Sequence, residues 1–101
     1  MSFSFHPRAE KEFNEAIDYY EDVRPGLGCE LALEVHSTIE NVLKHPQAWM
    51  LLEYDVRRAL VRRFPYAVLY SQEPQALFII AIMNLRREPG YWKNRIGRYL
   101  N

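Results

Sequence analysis

Residues 56–83 decide the fold, and they read VRRALVRRFPYAVLYSQEPQALFIIAIM. The first nine positions follow a period of two, which places alternate side chains on opposite faces of a strand. Pro65 interrupts this pattern, Tyr66 to Tyr70 resumes it, and Leu77 to Met83 forms a further apolar run after a turn at Glu73 to Gln75. Three consecutive strands with short connections predict an antiparallel meander.

The chain before Pro46 has a different period. Phe3 and Phe5 alternate with serines, which predicts a short strand. From Pro7 to about Tyr20, apolar residues recur at every third or fourth position with charged residues between them. This spacing predicts an amphipathic helix that tolerates Pro7 in its first turn.

A second helix is predicted after the break at residues 24–28, with apolar residues from Leu31 to Leu43 on one face and Pro46 ending it. The short break makes the two helices an antiparallel hairpin. Gln47 to Tyr54 is interpreted as a connecting loop that packs against the helices. The predicted fold is α+β: an antiparallel sheet of three to four strands, the helical hairpin on one face and the first strand along an edge.

The charges are segregated along the chain, although the formal net charge is zero. Residues 1–55 hold eleven acidic and four basic residues, a net charge of −7, and residues 56–101 hold two acidic and nine basic residues, a net charge of +7. A neutral total argues against general coating of nucleic acid, whereas a basic half can focus an anionic ligand onto one face.

The length and composition predict a single domain over residues 1–101 in the cytoplasm. The chain is too short for two cores, and the lone Cys29 excludes an internal disulfide and a multi-cysteine zinc site. The first residues lack the pattern of a signal peptide, and the apolar run at residues 76–83 is far shorter than the roughly 18 residues of a membrane span.

Metal and nucleotide chemistry are not expected. The histidines at positions 6, 36 and 45 are isolated from one another and lack carboxylates at a ligand-like spacing, so we assign them structural roles. Phosphate-cradling glycine loops, the Gly-x-Ser-x-Gly elbow and a histidine paired with the cysteine are also missing from the sequence. No metal and no cofactor are predicted.

The arginines are the strongest functional signal. Arg58 and Arg62 are predicted to share one face of their strand and Arg57 and Arg63 the other, so one of the two pairs should lie on the open face. Arg86 or Arg87 follows the last strand. With an aromatic residue at position 91 or 92, these side chains would form a concave basic surface with a stacking platform. The structural alternative is that the arginines pair with helix or tail carboxylates while Trp92 caps the core.

Two stretches, residues 57–70 (RRALVRRFPYAVLY) and residues 84–95 (NLRREPGYWKNR), together with the order of elements, resemble the RelE/ParE toxin superfamily over nearly the whole chain. The most specific parts are Arg-Arg-Phe-Pro-Tyr and Arg-Arg-x-Pro-x-x-Trp-x-x-Arg. The resemblance implies a small cytosolic growth inhibitor of a type II toxin–antitoxin system. A cognate antitoxin with a flexible tail would neutralise it, and operator DNA would be contacted only through that complex.

The superfamily contains mRNA-cleaving and gyrase-poisoning members, and the resemblance assigns candidate residues to each. For cleavage on the ribosome, Arg58, Arg86 and Tyr91 are the catalytic candidates. Leu60 and Ala67 stand where such enzymes carry further cations, and Asn84 stands where many relatives carry histidine. The candidate binding residues are Arg58, Arg62, Arg86, Arg87, Trp92 and Arg95.

Because the catalytic set is incomplete, inhibition of DNA gyrase is the preferred prediction. Cleavage of mRNA on the ribosome is the first alternative, in which case the protein is a metal-independent enzyme. A degenerate module that retains only antitoxin binding or operon regulation is the second alternative. All three predictions share the antitoxin as partner and exclude a membrane.

Overall fold

The computed structural model describes residues 1–97 and has an α+β fold with a five-stranded sheet. Residues 98–101, the end of the predicted domain, lie outside the described residues. The elements in chain order are β1 (Ser2–Phe5), α1 (Pro7–Val23), α2 (Leu27–Lys44), β2 (Met50–Glu53), β3 (Val56–Leu60), β4 (Tyr66–Glu73), β5 (Ala76–Asn84) and a 3₁₀ turn (Lys93–Arg95).

The sheet order is β1-β5-β4-β3-β2, so the prediction of three to four strands is one strand short. The additional strand is β2, which lies in the segment interpreted as a loop. Its Met50 and Leu51 pair with Arg58 and Arg57 of β3 through a turn in which Tyr54 has a φ of +51°. The sequence of β2, Met-Leu-Leu-Glu, has three consecutive apolar residues and no period of two, so the sequence pattern did not reveal this strand.

Strands β3 to β5 form the predicted antiparallel meander, β2 extends it by one strand, and β1 lies at the predicted edge. However, β1 runs parallel to β5, with Ser2 opposite Ala76 and Phe5 opposite Ile79. The sheet is therefore mixed rather than wholly antiparallel. The helices and strands β2 to β4 lie between β1 and β5 in the chain, and they bring β5 back beside β1 in the same direction.

The helical hairpin matches the prediction. His6 caps α1 by accepting a hydrogen bond from the Arg8 backbone N–H at Nδ1 (3.0 Å), and Pro7 occupies the first turn. At the start of α2, the Glu21 carboxylate accepts hydrogen bonds from the N–H groups of Gly26 and Gly28. A Cβ at Gly28 would lie 2.5 Å from the Ile17 carbonyl oxygen, so the helices approach too closely for any side chain there.

The principal core lies between the hairpin and one face of the sheet. Its buried residues are Ala9, Phe13, Ala16, Leu31, Val35, Ile39, Val42, Ala59, Val61, Phe64, Val68, Tyr70, Leu77, Ile79 and Ile82. Tyr70 is fully buried and donates its hydroxyl to the Pro46 carbonyl oxygen (2.6 Å), while burial raises its pKa to about 12.

The second face of the sheet is also partly covered. Residues 85–97 return across it, and Trp92 and Ile96 pack in a smaller core with Val56, Leu69 and Ile80. Burial on both faces explains why β4 and β5 are almost continuously apolar rather than alternating. The prediction of an open face lined by arginines therefore holds only for the part near β2 and β3.

The position of Arg62 corrects the sequence-based prediction. β3 ends at Leu60, and the Val61 N–H donates to the Tyr66 carbonyl oxygen (2.9 Å), which closes a tight connection. Arg62 lies in that connection, and Arg63 has a φ of +70°. Arg58 and Arg62 therefore do not share a strand face, because the chain leaves the extended conformation between them.

A buried polar cluster joins α1, β5 and residues 91–95, and we call it the Glu12 cluster. It forms where β5 bulges at Ile80, beyond the four residues that pair with β1. The Glu12 carboxylate accepts hydrogen bonds from the Ile82 N–H (3.1 Å), the Tyr91 hydroxyl (2.8 Å) and both terminal nitrogens of Arg95 (2.9 and 2.8 Å). Arg95 also donates to the Ile80 carbonyl oxygen (3.0 Å).

We predict that Glu12→Ala lowers the free energy of unfolding by about 3 kcal/mol or more, since it leaves the charge of Arg95 buried and uncompensated. The Arg95 side chain is only 6% exposed. Glu30→Ala is the matched control, because it removes an ion pair with Arg63 that is exposed to solvent and contributes little. Urea denaturation followed by circular dichroism measures both losses. Equal losses would contradict a structural role for the Glu12 cluster.

Candidate functional site

The largest recess near Arg58 lies on the second face of the sheet, and we call it the open-face groove. It has a volume of about 350 Å³. Strands β2 and β3 form one wall, and the end of β5 with the segment after it forms the other. Its lining residues are Leu52, Glu53, Arg58, Met83, Leu85, Arg87, Pro89, Gly90, Trp92 and Lys93. An ion pair between Lys93 and Glu53 (2.9 Å) joins the two walls.

Arg58 is the cation of this groove that a strand holds in place. One terminal nitrogen lies 3.2 Å from the Met50 sulfur, which is a weak acceptor. Its Nε is buried and has no hydrogen-bond partner among residues 1–97. A guanidinium with an unsatisfied N–H can donate hydrogen bonds to a carboxylate or a phosphate in a bidentate contact.

Exposed apolar side chains surround Arg58. Met50 lies directly opposite it on β2, and Leu60 lies two positions further along β3 on the same face. Leu85 follows β5. These three side chains are 58%, 52% and 45% exposed. Large apolar groups grouped around a cation are typical of a surface that binds a protein segment.

Arg86 lies in a different recess from Arg58. It lines a pocket of about 420 Å³ with Tyr19, Tyr20, Pro65, Tyr66 and Asn84, on the side of the sheet that carries α1. Arg87 lies between the two sites: it lines the open-face groove and stacks over the Tyr91 ring at 3.9 Å. The structure therefore does not bring Arg58 and Arg86 together in one pocket.

Tyr91 is held in the Glu12 cluster. Its hydroxyl donates to Glu12, and burial followed by this hydrogen bond raises its pKa above the ordinary value. A phenol with a raised pKa that already donates its proton to a carboxylate is poorly placed to transfer a proton to a substrate.

Two of the predicted binding residues are mainly structural in their contacts. Trp92 is 3% exposed and packs in the smaller core, so only a small part of its side chain reaches the open-face groove that it lines. Arg95 is paired with Glu12. These contacts match the structural alternative given above, in which arginines pair with carboxylates and Trp92 caps the core. Arg63 matches it as well, because it pairs with Glu30 (2.7 Å). Arg62 lies exposed in the turn before β4.

The sequence reasoning missed the exposed apolar side chains around Arg58 and the tyrosines of α1. Leu60 was read only as a position where a cation was absent, although an apolar residue beside Arg58 on the same strand face was itself a signal. Tyr19 is 61% exposed and packs against Tyr20 with ring centroids 5.0 Å apart. The helical period placed Tyr20 on the apolar face of α1 but did not indicate that its neighbour Tyr19 is exposed.

Within residues 1–97, no group of three or more His, Cys, Asp or Glu side chains could hold a metal ion. In the same part of the chain, no helix has the length and apolar character needed to cross a membrane.

Comparison with known proteins places this chain in a defined class. A family model described as the ParE toxin of the type II toxin–antitoxin system, parDE, matches residues 3–89. The chain therefore belongs to the ParE toxin family of type II toxin–antitoxin systems. Membership in this family implies an antitoxin partner.

A solved structure with the same fold is titled the chromosomal ParDE TA system from P. aeruginosa. It superposes with a TM-score of 0.72 at 16% sequence identity, over 83% of this chain and 95% of the matched chain. At this identity the match supports the fold. No curated protein matches the sequence significantly.

We predict that Trp92→Ala lowers the free energy of unfolding by about 3–5 kcal/mol, because it removes a buried ring and leaves a cavity. Leu60→Ala is the control, since Leu60 is 52% exposed and should cost far less. Thermal and urea denaturation measure both. A normal stability of the Trp92 variant would instead favour the predicted binding role of this ring.

Proposed function

We propose that this protein inhibits growth by binding DNA gyrase in the cytoplasm and that an antitoxin neutralises it through the open-face groove. The observation that carries this proposal is the separation of the catalytic candidates. Arg58 and Arg86 line different pockets, and Tyr91 is bound to Glu12. A protein that acts by binding does not need these groups to converge.

Cleavage of RNA has stricter geometric needs. Cations must stabilise the charge that develops on one phosphate, and a group of suitable pKa must move a proton at the same place. The open-face groove offers Arg58, Arg87 and Lys93 as cations. Its titratable acid, Glu53, pairs with Lys93, and no histidine lines the groove. This composition favours binding over catalysis.

The groove also suits an acidic and apolar antitoxin segment. A carboxylate of that segment would pair with Arg58, and apolar side chains would cover Met50, Leu60 and Leu85. A disordered segment can become ordered on such a surface, because the apolar contacts offset the entropy lost. The net charge of +7 in residues 56–101 would accelerate association with the acidic antitoxin segment, and added salt would weaken this electrostatic attraction.

The direct test uses purified protein in two assays. We expect inhibition of supercoiling by DNA gyrase and no cleavage of mRNA on translating ribosomes, and we expect the antitoxin encoded beside the gene to relieve the inhibition. Cleavage without gyrase inhibition would overturn the proposal in favour of an mRNA interferase. Inactivity in both assays together with antitoxin binding would favour a degenerate regulatory module.

We predict that Arg58→Ala weakens antitoxin binding by about tenfold or more, since a hydrogen-bonded ion pair that is lost costs about 1.5–3 kcal/mol. Arg62→Ala is the matched control: it removes the same charge from the same half of the chain, outside the groove. Isothermal titration calorimetry at two salt concentrations measures both affinities. If the two variants lose affinity equally, the contribution is general electrostatics and not the groove.

We predict that Tyr91→Phe leaves growth inhibition unchanged while lowering stability by about 1 kcal/mol, because it removes one hydrogen bond to Glu12 and no catalytic group. Growth curves after induced expression and urea denaturation give the two readings. Loss of toxicity with normal stability would show that this hydroxyl takes part in a reaction.

A further inference from the structure

A small basic pocket lies on the other side of the Glu12 cluster, away from the open-face groove. The N-terminus of α1 meets the 3₁₀ turn at residues 93–95 there, and the pocket has a volume of about 250 Å³. Its lining residues are His6, Arg8, Asn94 and Arg95. We call it the α1 pocket. All four side chains can donate hydrogen bonds, and no carboxylate of the described residues lines the pocket.

The capping interaction fixes the hydrogen bonding of His6. Because Nδ1 accepts a hydrogen bond from the Arg8 backbone N–H, the neutral imidazole carries its proton on Nε2. The ring can therefore donate from Nε2 at neutral pH without gaining a charge. Burial, followed by the charges of Arg95 and Arg8, lowers the pKa of His6, while the charge of Glu12 opposes this shift. The neighbouring guanidiniums thus make the surroundings of His6 electropositive.

Arg95 supplies an independent sign that an acceptor is missing. Its side chain is 6% exposed, and its two terminal nitrogens are satisfied by Glu12 and the Ile80 carbonyl oxygen. The Nε–H is buried and has no hydrogen-bond partner among the described residues. Because Arg95 also lines the pocket, an anion or a water bound there can supply the acceptor that this donor lacks.

We propose that the α1 pocket binds a phosphate group. The first turn of α1, a helix of 17 residues, presents the positive end of its dipole, which favours an anion. Arg8 adds a full charge at the rim. Glu12 already accepts from both terminal nitrogens of Arg95, so that pair is close to neutral, and the bound anion would rely on Arg8, the helix terminus and the remaining N–H donors.

The chemistry of the pocket limits the ligand. Four donor side chains around a small volume suit the tetrahedral oxygens of one phosphate. Among residues 1–97, the imidazole is the one aromatic ring that lines the pocket, so the described lining offers little for stacking a nucleobase. The phosphate could belong to inorganic phosphate or to the backbone of DNA, and these sources share the same recognition. The inference does not depend on gyrase as the target.

The test is a titration with inorganic phosphate at pH 7 and constant ionic strength, followed by ¹H–¹⁵N correlation spectra. We expect saturable shifts of the Arg95 Nε–H signal and of the backbone amides in the first turn of α1. Arg8→Gln should weaken binding by at least about fivefold, since it removes a charged donor. His6→Asn should also weaken it, because asparagine preserves the helix cap but lacks the Nε2–H.

Lys11→Gln is the matched control, since it removes one charge from the exposed side of the same helix outside the pocket. We expect it to bind phosphate like the unaltered protein. A second titration uses a short DNA duplex. Shifts of the same Arg95 signal that phosphate reverses would identify the DNA backbone as the source, whereas shifts with phosphate alone would identify a free phosphate. No saturable shift in either titration, or an equal loss in Lys11→Gln, would overturn the proposal.

Discussion

The Glu12 carboxylate is the interaction on which the rest of the structure depends. β1 pairs with β5 only as far as Ile79. Beyond that point, Glu12 accepts a hydrogen bond from the Ile82 N–H and Arg95 donates one to the Ile80 carbonyl oxygen, as a neighbouring strand would. The same carboxylate holds Tyr91 and Arg95 and so directs residues 85–97 across the second face of the sheet. Without this carboxylate, the segment that carries Trp92 and forms one wall of the open-face groove would no longer be held through Tyr91 and Arg95.

This arrangement separates stability from recognition on one small sheet. The helical hairpin covers one face, and Trp92 and Ile96 cover the centre of the other. What remains uncovered is the corner near β2 and β3, where Arg58 lies among Met50 and Leu60. The proposed antitoxin contact is therefore confined to a corner that the core does not need, so substitutions there are expected to change binding more than folding.

Much of the fold could be predicted from local patterns, and the failures have physical causes. The helices followed from a period sustained over about four turns, and the meander followed from alternation bounded by Pro65 and by the turn at Glu73. β2 has no alternation of apolar and polar residues, and its pairing with β3 depends on a turn that sequence patterns do not mark. The structural role of Arg95 could not be read from position alone, because its partner Glu12 is 83 residues away. The family resemblance grouped Arg58, Arg86 and Tyr91 as one catalytic set. In the structure, Arg58 and Arg86 line different pockets, and Tyr91 is bound to Glu12.

The wide separation of Glu12 and Arg95 has a consequence for synthesis on the ribosome. Helix α1 is made before β5, but the Glu12 carboxylate lacks its charged partner until the chain has been made at least through Arg95. The edge of β5 and the wall of the groove are completed only by that late contact. A nascent chain thus cannot complete this edge of the sheet before residue 95 has left the ribosome, even where both helices have already formed.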